Sequence, residues 1–179
     1  MTYQPGDVPS NASYTWLTGY NRIVPHLHEE SDRSAAILGA SFLETALRTR
    51  FMDVFIDDPS TRKLFDAYRL LSTFAAVIDV GFCLGLLTRD MRADLDVIRK
   101  IRNHFAHHPE HSTFDTPPVG DWCRMLTTAK GIPTQDGSLW RATGARDQYI
   151  MALVFSLTYF DRFVGASGRR EVPANPLER

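Results

Sequence analysis

The sequence predicts an all-α fold, a single-domain helical bundle. Apolar residues recur at helical spacing in several segments, and capping residues stand directly before those segments. No stretch shows the persuasive apolar–polar alternation of a β-strand. The chain has 179 residues, the length of one domain with a single core. We therefore expect half a dozen helices with short connections.

The limits of the helices follow from the residues at their ends. Ser31 and Asp32 can cap a long second helix, and Pro59 can open a short third one that holds Leu64 and Phe65. Ser72 can cap the fourth helix and Thr88 the fifth, which Pro109 follows. The expected helical segments are 14–26, 32–55, a short helix from 59, 73–87, 89 to 107 or 108, 121–129 and 145–164.

The apolar run from Phe74 to Leu87 is shorter than the roughly 20 residues of a membrane span, so it predicts a buried helix in the bundle. Gly81 and Gly85 lie four residues apart in it and are expected to let another helix approach closely. Residues 131–144 predict a loop with an Asp136-Gly137 turn or a small hairpin. Residues 1–12 are expected to be a flexible arm, 13–165 the bundle domain, and 166–179 a disordered tail.

Composition narrows the class of function. The formal charge is -1, and the pI is about 6.6. These values argue against a protein that binds nucleic acid mainly through the phosphate backbone, because such proteins are usually basic. The two cysteines, Cys83 and Cys123, are too few and too far apart for a disulfide framework or a zinc site. With no signal peptide evident at the N-terminus, a reduced cytoplasmic setting is expected.

The fifth helix carries the segment with the clearest candidates for a catalytic or binding role, Arg102-Asn103-His104-Phe105-Ala106-His107. On a helical wheel of about 100° per residue, Val97, Ile98, Ile101 and Phe105 form the apolar side, with Leu95 at its edge. The opposite side carries Arg92, Asp96, Arg99, Lys100, Asn103 and His107, and Arg102 falls on the flank. Arg102 and His107 diverge by about 140°, so one chain alone does not bring them together. Two copies of the helix that face each other across a dimer axis would.

These residue types can process RNA without a metal. A histidine can move a proton near neutral pH, and an arginine can hold a phosphate or a developing negative charge. Asn103 can orient either partner. The structural alternative is a solvated polar face that ends in a histidine, which the helix dipole favours.

Other residues are candidates for binding or pairing. Glu44 can pair with Arg102 or, slightly better, with Arg48 one turn on. Asp79 interrupts an apolar helix, so we expect a buried carboxylate paired with Arg33, Arg99 or Arg102. With Glu44 and Asp79, Arg99 and His104 complete the candidate binding residues.

The histidines His104, His107, His108 and His111 are dense enough for a metal site to be considered. No cysteine completes a familiar ligand set, and Pro109 breaks the helical spacing between them. We predict exposed histidines at a helix end, with neither a metal nor a cofactor.

The motif Arg102-Asn103-x-x-x-His107 resembles that of HEPN domains. That resemblance implies a helical bundle that dimerises and, in many members, a metal-independent ribonuclease with the arginine and the histidine in its active site.

A wider resemblance, over residues 30–127, is to the mannitol operon repressor (MtlR-like) family. Its blocks are 31–40, 42–44, 71–74, 84–86 and 98–107. It implies an all-helical regulatory homodimer that controls transcription through a protein partner, without a recognised DNA-binding module. A non-catalytic regulator of this type is the leading hypothesis. The alternative is a HEPN-type ribonuclease, in which Arg102 contacts phosphate, Asn103 orients and His107 is the general base or acid.

Overall fold

The predicted all-α single-domain bundle is confirmed. The computed structural model describes residues 23–108, 112–128, 132–133, 139–140 and 142–163. Short strands β1 (Ile132–Pro133) and β2 (Leu139–Trp140) pair in antiparallel fashion, in the segment for which a hairpin was predicted. The helices are α1 (Ile23–Glu29), α2 (Asp32–Val54), α3 (Pro59–Lys63), α4 (Phe74–Cys83), α5 (Arg89–His107), α6 (Val119–Met125) and α7 (Ala145–Phe163).

The long helix α2 packs against both α5 and α7, and its buried residues recur at helical spacing. Gly39 brings α2 close to α7, because a Cβ at this position would collide with the side chain of Leu153. Around α2, helix α4 packs on α5, and α6 packs on both α5 and α7. The largest fully buried side chains fill the space between these helices: Tyr149, Phe51, Phe105, Phe114 and Phe160.

Three hydroxyl side chains begin the main helices. Ser31 Oγ accepts from the Ser34 N–H at 3.1 Å, and Thr88 Oγ1 accepts from the Met91 N–H at 3.1 Å, as predicted. The cap of α4 is Thr73, which accepts from the Ala76 N–H at 3.2 Å, so the prediction of Ser72 is wrong by one residue. Such caps contribute about 1 kcal/mol each.

The prediction that α4 continues to Leu87 is also wrong. The helix ends at Cys83, and Gly85 follows it with φ +71°, a left-handed conformation that glycine adopts without strain. The expected close packing holds at Gly81, where an added Cβ would lie 3.0 Å from both Phe51 Cζ and Leu87 Cδ1. At Gly85 an added Cβ would meet nothing within 4 Å. The two glycines therefore serve packing and chain reversal respectively.

Three further limits differ from the prediction. Within the described residues, α1 extends three residues beyond the expected end at His26. Helix α3 ends at Lys63 and leaves Leu64 and Phe65 in the loop that follows. Helix α6 covers 119–125 instead of 121–129, because the residues that follow it turn to bind a carboxylate on α5.

The predicted arm at 1–12, the tail at 166–179 and the Asp136-Gly137 turn lie outside the described residues. Among the helices in the described ranges, none has the length and apolar character needed to cross a membrane.

Candidate functional site

Helix α5 positions the motif on the outside of the bundle. Its buried stripe is Met91, Asp94, Leu95, Ile98, Ile101 and Phe105, and this stripe fixes the rotation of the helix. Arg102 is exposed, and its Nη1 donates a hydrogen bond to Asn103 Oδ1 at 3.0 Å. Asn103 is half-buried. The amide oxygen of Asn103 therefore contacts the guanidinium group of its neighbour in the chain.

His107 lies one turn beyond Asn103 and is exposed. Within the described ranges, His107 makes no hydrogen bond or ion pair, with Arg102 or with any other side chain. The five-residue spacing turns it about 140° away from Arg102. One chain thus presents the two ends of the motif on different sides of α5.

A cluster of three aromatic rings and one lysine lies on the side of α5 that faces α6. The imidazoles of His104 and His108 stack with ring centroids 4.4 Å apart, and the Trp122 indole meets His104 edge-on at 5.5 Å. Lys100 Nζ lies 4.1 Å from the centroid of the Trp122 ring, a cation–π contact. His104 therefore has a structural role in the α5–α6 contact.

Burial lowers the pKa of His104, and the nearby His108 lowers it further. We expect stability to fall as the pH drops through the interval between this lowered pKa and the ordinary histidine value of about 6.5. The unfolded chain binds a proton in that interval and the folded chain does not, so acid favours unfolding. Below the lowered pKa both states are protonated, and the loss is complete.

An NMR titration of the His104 ring and a pH series of melting temperatures would measure this effect. His28 also has a pKa lowered by burial, so wild type is compared with His104→Gln, in which only the contribution of His104 is removed. A titration midpoint of His104 at or above the ordinary histidine value would contradict the expectation.

Arg99 lies on the outer face as predicted and is half-buried. Its Nη2 is 3.3 Å from Asp96 Oδ1, three residues back on the same helix. Its Nε is buried and has no hydrogen-bond partner. Arg99 is thus held by a local ion pair and does not approach Asp79, for which it was a proposed partner.

Glu44 makes the local pair that was favoured from the sequence. Its Oε1 accepts from Arg48 Nη2 at 2.8 Å and from Arg48 Nε at 3.1 Å. The same guanidinium group donates to the carbonyls of Leu71 at 2.9 Å and Ser72 at 2.6 Å, ahead of α4. Glu44 and Arg48 therefore position the α3–α4 loop, and Glu44 does not contact Arg102.

The prediction for Asp79 is wrong in both burial and partner. Its side chain is 60% exposed, and its Oδ1 accepts from Arg92 Nη2 at 2.8 Å. The Arg92 guanidinium also lies 4.8 Å from the centroid of the Phe82 ring. Asp79 falls on the outward side of α4, so its charge remains in water and a neighbour on α5 reaches it.

Among the described residues, the buried carboxylate is that of Asp94 and not that of Asp79, and Asp94 is 1% exposed. It accepts from the Thr127 N–H at 2.8 Å, the Thr127 hydroxyl at 3.1 Å, the Thr128 N–H at 2.7 Å and the Thr128 hydroxyl. The spacing of 94, 98, 101 and 105 on one helical stripe was a signal that could have found it.

Two observations bear on small ligands. Within the described ranges, no group of three or more His, Cys, Asp or Glu side chains is placed to hold a metal ion, and His111 lies outside those ranges. A cavity of about 120 Å³ lies at the α2–α3 connection, away from α5, lined by Met52, Ile56, Asp57, Asp58, Thr61 and Arg62. It is smaller than the roughly 300 Å³ at which ligand pockets begin.

Comparison with known proteins returns no match, whether to family models, to curated proteins or to solved structures.

Proposed function

We propose that this chain is a regulatory helical protein that acts through contacts with another protein and is not itself an enzyme, as its resemblance to mannitol operon repressors implies. The observation that carries the proposal is the divergence of Arg102 and His107 on α5. General acid–base catalysis needs a proton-transferring group within hydrogen-bond reach of the reacting atoms. A single chain holds its histidine away from the site where its arginine would bind phosphate.

The distribution of exposed apolar side chains supports a protein partner. Leu38 and Phe42 stand one turn apart on α2 with 42% and 44% of their surfaces exposed, and Tyr68 and Leu70 stand together in the α3–α4 loop. Aromatic and apolar residues of this kind are enriched at protein interfaces. The formal charge of -1 favours a protein partner over direct contact with DNA.

Transcript profiling would test this role. In host cells that lack the chain, the transcripts that change should be restored equally by wild type and by His107→Ala, because the histidine has no chemical step to perform. The purified chain alone should not retard the promoter DNA of those transcripts. Failure of His107→Ala to restore them, at the cellular level of wild type, would contradict the proposal.

A second candidate function is a metal-independent ribonuclease with a site shared between two copies. It is favoured by the exposure of both Arg102 and His107 and by the absence of a partner for His107 among the described residues. In such a site Arg102 of one copy would contact phosphate, Asn103 would orient it, and His107 of the other copy would transfer the proton.

Cleavage of a mixed RNA pool in excess EDTA separates the two candidates. The regulatory proposal expects no cleavage by wild type, Arg102→Ala or His107→Ala. A shared site expects cleavage by wild type that is lost in each variant. Mixing the two variants would then restore part of the activity, because a mixed dimer rebuilds one intact site.

A further inference from the structure

The α3–α4 loop carries two large apolar side chains that the fold leaves in solvent. Tyr68 is 102% exposed and Leu70 is 67% exposed, whereas Leu71 beside them is buried in the core. Since Leu71 anchors the loop from below, Tyr68 and Leu70 project outward from a fixed point. This segment, residues 66–70, is called the Tyr68 projection below.

Tyr68 adopts a backbone conformation that its side chain does not favour. It has φ +64°, the left-handed region, in a turn closed by a hydrogen bond from the Arg69 N–H to the Asp66 carbonyl at 3.1 Å. Glycine or asparagine is the ordinary residue at such a position, because a Cβ costs free energy there. Stability of the isolated chain therefore gives no reason for an exposed tyrosine at this place, and a function at the surface does.

The base of the projection is held in place. Arg48 donates to the carbonyls of Leu71 at 2.9 Å and Ser72 at 2.6 Å, and the Leu71 N–H donates to the Leu64 carbonyl at 2.8 Å. Glu44 fixes the Arg48 guanidinium in turn. A surface that is already ordered loses less conformational entropy when it binds.

The charges beside the projection are mainly positive. Arg62, Lys63 and Arg69 are exposed, and none of the three lies within ion-pair distance of a described carboxylate, although Lys63 interacts electrostatically with Asp58 over a longer distance. Asp66 is the one acidic residue between positions 62 and 69, and Asp58 caps the far end of α3. An apolar tip flanked by the exposed cations Arg62 and Arg69, with Lys63 shared with Asp58, is complementary to a segment that carries carboxylates around an apolar side chain.

We propose that the Tyr68 projection is the docking surface for an acidic segment of a partner protein, with Tyr68 and Leu70 as apolar anchors and Arg62, Lys63 and Arg69 as the cations that attract it. This inference rests on the proposed function, since it names the surface and the chemistry of the partner. Electrostatic attraction would act mainly on the association rate and would weaken with salt.

Selection of displayed random peptides on the 179-residue chain tests the inference. The selected peptides should be rich in Asp and Glu and contain an aromatic or aliphatic residue. Synthetic copies should bind about tenfold or more weakly to Tyr68→Gly and to Arg69→Glu, as expected for an interface anchor and its charge partner. Arg33→Glu, an equal change of charge at an exposed site on α2, and Leu84→Ala, an exposed apolar control, should bind as wild type does.

The stability of the Tyr68 variants separates docking from folding. Tyr68→Gly and Tyr68→Asn should melt at the wild-type temperature or up to about 4 °C above it, because both residues suit the turn. Lower melting temperatures in both variants would assign Tyr68 a structural role and overturn the proposal.

Three further outcomes would overturn it. Selected peptides that bind Tyr68→Gly as tightly as wild type would place the protein-binding surface elsewhere and leave the proposed function intact. Binding of a single-stranded RNA probe that depends on Tyr68, with no peptide selected, would make the surface a nucleic-acid site. In the third outcome no peptide is selected, and the chain cleaves RNA in EDTA in a way that needs Arg102 and His107. This result would overturn the proposed function as well.

Discussion

Replacement of Asp94 by alanine is expected to lower the free energy of unfolding by about 3–5 kcal/mol. The carboxylate is buried and accepts hydrogen bonds from both the backbone N–H and the hydroxyl of Thr127 and of Thr128. Removal of the carboxylate takes away the hydrogen bonds from Thr127, which is exposed, and Thr128, which is half-buried, and a hydrogen bond to a charged group contributes about 1.5–3 kcal/mol. Part of that loss is recovered where water reaches the end of α6.

Urea unfolding followed by circular dichroism measures the change, provided the slope with denaturant stays constant. Asp96→Ala is the matched control, since Asp96 lies on the same helix, is 42% exposed and pairs only locally with Arg99. Exposed pairs of this kind contribute at most about 1 kcal/mol. If Asp94→Ala lost no more stability than Asp96→Ala, the carboxylate would not be the anchor of the segment after α6.

Local chemistry explains which parts of the fold the sequence could predict. The limits of α5 follow from Thr88, whose hydroxyl satisfies an otherwise free N–H, and from Pro109, which cannot continue a helix. Such signals act over one turn and need no knowledge of the tertiary structure. The predicted pairing of Glu44 with Arg48 succeeded for the same reason, since residues four apart on a helix are always neighbours.

The predictions that failed depend on contacts between distant segments. Asp79 and Asp94 both interrupt apolar helical patterns, yet α4 turns the first outward and α5 turns the second into the core. The spacing of Asp94 within the buried stripe of α5 places it on the core face, but its partners Thr127 and Thr128 lie 33 and 34 residues away and have no local signal. Periodicity alone places a residue on a face but does not supply its partner.

The candidate site divides in the same way. The positions of Arg102, Asn103 and His107 around α5 could be predicted, because the helical repeat fixes them. The stacking of His104 on His108 and its contact with Trp122 could not, because they depend on where α6 packs. The left-handed conformation of Tyr68 could not be predicted either, because tyrosine rarely adopts it and gives no local signal for it.

Arg146 is the second residue whose loss should have a large effect, about 2–3 kcal/mol for Arg146→Ala. Its Nη1 donates to Asp32 Oδ1 at 2.9 Å, at the start of α2. Its Nη2 donates to the carbonyls of Leu27 at 2.7 Å and His28 at 3.2 Å, and to that of Glu30. One guanidinium group of α7 thus satisfies the carbonyl end of α1 and the carboxylate that opens α2.

The expected loss is kept below that of a fully buried ion pair, because the Arg146 side chain is 26% exposed and water can replace some of its bonds. Arg146→Lys should recover only part of the stability, since a single ammonium group cannot span both Asp32 and the α1 carbonyls. Arg124→Ala, which removes a 65% exposed arginine with a local partner, should change stability by less than about 0.5 kcal/mol. Hydrogen exchange should show faster exchange in α1 for Arg146→Ala than for Arg124→Ala, because the junction of α1 with α2 and α7 is what Arg146 holds. Equal protection of α1 in the two variants would mean that apolar packing of Leu27, and not the arginine, keeps α1 on the bundle.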